Sequence, residues 1–192
     1  EDGEMAVLDQ ECVKLATLDD SPVDRETLHV NWDTAAAEKS GYEDFMLKEI
    51  FEQPMAVKET MRGRFFDDGR IVLDEIELSE DKIRDLNKVF VVACGTSYHA
   101  GLVARQAIER WVGLPVEIDI SSEFRYRDPV LDQKTLVIAI TQSGETTDTI
   151  AAVREARQRA ARVMAVTNVV GSSVTREADG VIYTHAGPEI GV

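Results

Sequence analysis

Thr141, Gln142, Ser143 and Thr146, interrupted by Gly144 and Glu145, place hydroxyl and amide side chains directly behind the apolar run Leu136–Ile140. A buried strand ending in such a turn leaves the first N–H groups of the following helix free. The positive end of that helix's dipole adds to their attraction for an anion. Ser and Thr hydroxyls donate and accept, which suits a ligand bearing both a phosphate and hydroxyl groups. A second corner, Cys94–Gly95–Thr96–Ser97, follows the apolar run Val89–Ala93. Gly95 and Gly144 allow tight turns and close backbone approach. Two such corners in one sheet point to a phosphorylated small molecule held between them. The plainer alternative is that the hydroxyls are helix N-caps, each stabilising its helix by about 1 kcal/mol. Neither corner carries the Lys of a Walker A loop, and there is no G-x-G-x-x-G dinucleotide pattern.

The remaining reactive residue types read as structural. Cys94 closes an apolar strand with no His beside it in sequence, so it reads as a small apolar residue lining the site. Glu145 is explained by the preference for acids in a helix's first turn. The loop Asn168–Ser173, on the same sheet edge, reads as an Asx turn followed by a helix cap. Cys12 and Cys94 form no disulfide framework, and His29, His99 and His185 are scattered without metal-ligand spacing. No metal or cofactor is called for.

These corners need a sheet to hold them. From Lys88 onward, apolar strands (89–93, 116–120, 135–140, 163–167, 180–184) alternate with helices (97–111, 121–126, 146–160, 174–178). That rhythm predicts an α/β fold with a doubly wound parallel sheet covered on both faces. In such a sheet ligands bind beyond the carboxyl ends of the strands, where strand order reverses, which puts both corners on one edge. Upstream, Ser79 with Glu80 and Asp81 marks a helix start. Helical spacing runs from Tyr42 to about Gly63, and Pro54 within it predicts two helices or a sharp kink. Ile71–Leu73 reads as a short strand or extended segment. Residues 5–8 and 12–15 are strand-like and predict a hairpin completing a sheet whose other strands lie upstream.

A chain of 192 residues with 44% hydrophobic and 30% charged content reads as a soluble domain with an appendage. Its apolar runs fall short of a membrane span, and no signal peptide opens it. A net charge of −15 speaks against nucleic-acid partners and anionic membrane surfaces. It does not bar a phosphate bound by local amides and hydroxyls, because salt screens the global field. The first residue is Glu1 and the last Val192, and both ends read as cuts inside a longer protein. A reducing cytoplasm is the expected compartment.

The motifs Ala93–Tyr98, Ser122–Arg127, Gln142–Thr146 and Ala186–Val192, in this order, resemble the first sugar isomerase (SIS) domain of the glutamine–fructose-6-phosphate aminotransferases. Lys48–Pro54 resembles the linker before that domain, and residues 1 to about 32 resemble the tail of the glutaminase domain. The resemblance implies a flavodoxin-like three-layer SIS fold over 79–192, truncated at its C-terminal side. A helical linker at 41–78 and a glutaminase remnant with linker at 1–40 would precede it. It implies conversion of fructose 6-phosphate and glutamine to glucosamine 6-phosphate and glutamate by the full-length enzyme, a homodimer built through its isomerase domains. By resemblance, Ser97, Thr141, Gln142, Ser143 and Thr146 hold the sugar phosphate, with Thr96 and Val192 nearer the sugar. Position 141 is often Ser in the family, and Thr keeps the hydroxyl. The family's glutaminase Cys, and its Lys, Glu and His acting on the sugar, fall outside this chain, so no catalytic residue is expected within it and no turnover from it alone. A sugar-phosphate-sensing SIS module and another ketose- or aldose-phosphate isomerase remain the alternatives.

Overall fold

The computed structural model describes residues 3–10, 12–25, 38–73, 76 and 78–191. Chain contacts separate two units, Glu1–Asn31 and Trp32–Val192. In the first unit, β1 (Glu4–Leu8) and β2 (Val13–Thr17) pair as an antiparallel hairpin, with Glu4 opposite Thr17 and Leu8 opposite Val13. Val7, Leu8 and Val13 are largely exposed.

The second unit opens with α1 (Phe45–Met61), capped by Asp44, whose side chain accepts from the Leu47 N–H at 2.7 Å. One helix runs through Pro54, where the sequence predicts a break or sharp kink. The missing N–H of Pro54 deprives only the Ile50 carbonyl, and both residues are exposed, so water can take that bond. Ile71, within the segment expected as a short strand or extended piece, forms an isolated bridge with Phe65.

The short helix α2 (Glu80–Arg84), capped by Ser79, leads into β3 (Lys88–Ala93), α3 (Gly95–Val112), β4 (Val116–Ile120) and α4 (Ser121–Phe124). Then follow β5 (Thr135–Ile140), α5 (Thr147–Gln158), β6 (Arg162–Thr167), α6 (Ser173–Glu177) and β7 (Gly180–Tyr183). All five strands from β3 to β7 are parallel, in the order β4-β3-β5-β6-β7. This is the flavodoxin-like arrangement, whose order reverses between the first strand and its two neighbours.

Alternation along the strands divides the core into two layers. Phe90, Val92, Val137, Ala139, Val163 and Ala165 pack with Phe124 of α4, Ala152, Val153 and Ala156 of α5, and Val174 of α6. Val89, Val91, Val116 and Leu136 form the second cluster, with Ile108 of α3 and Leu86 packed against it. Apolar residues on both faces of a strand require cover on both faces, and helices supply it. On α3, Gly101 permits the approach: a Cβ there would lie 2.6 Å from Ile118 Cδ1 and 2.9 Å from Val91 Cγ1.

Candidate functional site

β3 and β5 are neighbours with Ala93 opposite Ile140, so the segments leaving their carboxyl ends emerge side by side at the point of reversal. One segment is Cys94–Ser97, where α3 starts at Gly95 with φ of 56°. The other is Thr141–Thr146, immediately before α5. Neither Cys94 nor Thr146, the residues at the two cap positions, makes a side-chain cap bond. The Thr146 hydroxyl instead faces the Thr141 hydroxyl at 3.3 Å, and Thr141 Oγ1 accepts from the Gly144 N–H at 3.3 Å. Ser143 Oγ accepts from the Glu145 N–H at 3.2 Å. The hydroxyls therefore shape the loop rather than cap the helix, contrary to the plainer reading. Gly144 is buried with φ of 69°, and a Cβ there would lie 2.0 Å from Ser172 Oγ. Both its backbone conformation and the space around it exclude a side chain.

The loop between β6 and α6 buttresses this corner. The Gln142 carbonyl accepts from the Asn168 N–H (3.0 Å) and from Thr167 Oγ1 (3.2 Å), and the Gly144 carbonyl accepts from the Val174 N–H (3.0 Å). Glu145 extends a carboxylate oxygen to the Ser173 N–H at 2.7 Å, at the start of α6. The expected Asx turn at Asn168 is not what its side chain makes. Asn168 Nδ2 donates to the Gly187 carbonyl at 2.6 Å, while Oδ1 accepts from Thr184 Oγ1 (2.9 Å) and the Ala186 N–H (2.8 Å). Ser172, at the cap position of α6, makes no side-chain cap bond either. Its hydroxyl fills the space beside Gly144.

Beyond the corners lies a cavity of about 400 Å³. One wall carries Ser97, Thr141 and Gln142; others come from α1 (Glu49, Glu52, Gln53, Ala56, Thr60), from Asn168, and from Thr184 and Ala186–Glu189. Its volume falls in the usual range for small-molecule sites. Ser97 and Gln142 are half-buried, and among the described residues no protein group engages the Ser97 hydroxyl or the Gln142 side-chain amide. Thr96 is exposed in the first turn of α3; Val192 lies outside the described residues. Cys94 is half-buried with Sγ 4.0 Å from Thr149 Oγ1, which meets Ser121 Oγ at 3.0 Å. His99 and His185 are exposed, and His29 falls outside the described residues.

The site is electrostatically lopsided. Hydroxyl and amide residues line the side formed by the strand ends, and every charged residue of the lining, Glu49, Glu52 and Glu189, is acidic and lies on other segments, among Gln53, Thr60, Asn168, Thr184 and apolar residues. Sequence reasoning from the residues did not place α1 or Asn168 at the cavity. Their partners lie far along the chain (Glu49 bonds Ile190), and no local spacing announces such a contact. Among the described residues no helix is long and apolar enough to cross a membrane, and no three His, Cys, Asp or Glu side chains gather as a metal-holding group.

Residues 82–192 match the family model described as the SIS domain. The glutamine–fructose-6-phosphate aminotransferase (isomerizing) of Mycolicibacterium paratuberculosis is 63% identical over 164 residues, covering 85% of this chain and 26% of that protein. The protein of the same name from Clostridium perfringens is 53% identical over all 192 residues, covering 32% of its own length. This chain thus spans roughly a quarter to a third of such curated relatives. Among solved structures, the C-terminal domain of glucosamine-fructose-6-phosphate aminotransferase from Francisella tularensis superposes with a TM-score of 0.73 at 42% identity. That match covers 81% of this chain and 43% of that one.

Proposed function

Since this chain belongs to the SIS-domain family, we propose that it is the sugar-phosphate-binding part of a glutamine–fructose-6-phosphate aminotransferase. Its full-length form would convert fructose 6-phosphate and glutamine to glucosamine 6-phosphate and glutamate. One observation carries the reading. Two hydroxyl-rich corners leave adjacent parallel strands at the point of reversal and open onto one cavity, with the Ser97 hydroxyl and Gln142 amide unengaged by protein. The phosphate sits at that end, held by neutral donors: Ser97, Thr141, Gln142, Ser143, Thr146 and the first N–H groups of α3 and α5. Glu49, Glu52 and Glu189 repel an anion, and Glu52 and Glu189 accept from sugar hydroxyls, so together they set the direction in which a hexose phosphate lies. Thr96 and Val192 belong to the sugar end.

Hydroxyls and helix N–H groups hold charge; they do not abstract protons from carbon. The amination and isomerisation steps therefore belong to residues outside this chain, and the chain alone binds without turnover. In this reading residues 1–40 are the end of the glutaminase domain with its linker, 41–78 a helical linker, and 79–192 the first SIS domain of a cytoplasmic enzyme. Self-association runs through the isomerase domains, as the exposed Val103 and Trp111 on α3 favour.

Calorimetric titration with fructose 6-phosphate tests the assignment. Ser97→Ala and Gln142→Ala remove side chains that make no protein hydrogen bonds among the described residues, so the fold stays intact. Each should weaken binding by roughly tenfold, the value of one hydrogen bond to a charged group. Wild-type affinity in both variants would overturn the assignment.

A further inference from the structure

The segment following β7, from Thr184 to Gly191, contains no helix or strand, yet it forms a wall of the cavity through Thr184 and Ala186–Glu189. Its path is forced: His185 has φ of 49° and Gly187 φ of 82°. A non-glycine residue in the left-handed region persists only where its surroundings over-determine it. Two clasps do so. On one side, the Asn168 side chain accepts from Thr184 Oγ1 and the Ala186 N–H and donates to the Gly187 carbonyl. On the other, Glu49 Oε1 on α1 accepts from the N–H groups of Ile190 (2.7 Å) and Gly191 (2.9 Å), and Thr60 Oγ1 donates to the Thr184 carbonyl. Gly191 lies so close to α1 that a Cβ would stand 2.7 Å from Met46 Cα.

Each clasp also ends at the cavity. The Asn168 backbone N–H bonds the Gln142 carbonyl of the proposed phosphate corner, and Glu49 lines the same cavity from α1. The spacing between the phosphate corner and the far wall is therefore set by side chains that reach across the chain. We propose that Glu49 and Asn168 are positioning residues that hold 184–191 as the sugar-facing wall, and so select a phosphorylated sugar over phosphate alone. The inference rests on the sugar-phosphate reading above. Glu49 contributes a paired acceptor for two adjacent N–H groups, and a Gln carbonyl oxygen can take both bonds, whereas Ala leaves the two donors without a partner.

Amide hydrogen exchange and ³¹P-detected titration, on wild type, Glu49→Ala, Glu49→Gln and Asn168→Ala, test this. Glu49→Ala should speed exchange at Ile190 and Gly191 by roughly tenfold or more, and Glu49→Gln should restore most of the protection. In Glu49→Ala and Asn168→Ala the ratio of fructose 6-phosphate affinity to inorganic phosphate affinity should fall by roughly tenfold, since phosphate alone spans only the corner. Unchanged exchange in Glu49→Ala, or an unchanged affinity ratio in both Ala variants, overturns the inference while leaving the sugar-phosphate reading in place. A wild-type chain that binds phosphate no less tightly than fructose 6-phosphate, or neither of them, overturns the reading and the inference together.

Discussion

Thr141, proposed to offer a hydroxyl to a ligand, also builds the loop that carries it. At 5% exposure its Oγ1 accepts from the Gly144 N–H and meets the Thr146 hydroxyl, while its own N–H bonds the Val166 carbonyl. Thr141→Val keeps the shape and removes the acceptor, leaving the buried Gly144 N–H unpaired; about 1–3 kcal/mol of stability should be lost in denaturant titration. Thr141→Ser keeps the acceptor and should lose less than Val does. A larger loss in Ser than in Val would show that the methyl group, not the hydroxyl, is what the loop requires. At this scale the corner was legible because residue type and local spacing carry the signal: apolar run, glycine, hydroxyls. Asn168 and Glu49 were not legible as clasps. An Asn after a strand has a cheaper local reading as a turn former, and the groups Glu49 binds lie 141 and 142 residues away.

Among the elements, the sheet follows from its strands. Near-continuous apolar runs at β3 and β5 bury residues of both parities, and β6 buries one and half-buries the other, which demands helices above and below. The rhythm of alternation revealed the class of fold, and strand order then put the corners side by side. Of the two outcomes expected at Pro54, two helices or one sharp kink, the first does not occur: α1 continues to Met61, and Ile50, whose carbonyl loses its partner, is an exposed residue. α3 fits closely on the sheet at Gly101. Elsewhere in a helix Gly→Ala stabilises by roughly 0.5–1 kcal/mol. Here the added methyl meets Ile118 and Val91 within 3 Å, so Gly101→Ala should destabilise by roughly 1–3 kcal/mol in thermal or chemical unfolding. A more stable variant would mean that the Ile118 and Val91 side chains give way at no cost.

For the whole molecule, the two features in tension are an acidic chain of net charge −15 and a site proposed for an anion. The tension resolves locally. Ser97, Thr141 and Gln142 line the cavity at the proposed phosphate end, next to the starts of α3 and α5, and Glu49, Glu52 and Glu189 are among the residues that line it elsewhere. A ligand with one anionic and one polyhydroxyl end fits that polarity in a single direction. The most direct measurement is a crystal structure of the chain with fructose 6-phosphate bound. The phosphorus is expected between Ser97 and the 141–146 loop, with the sugar directed toward α1 and the 184–191 segment. A phosphate group bound elsewhere, or the sugar reversed so that its phosphate faces Glu49 and Glu52, would contradict this expectation.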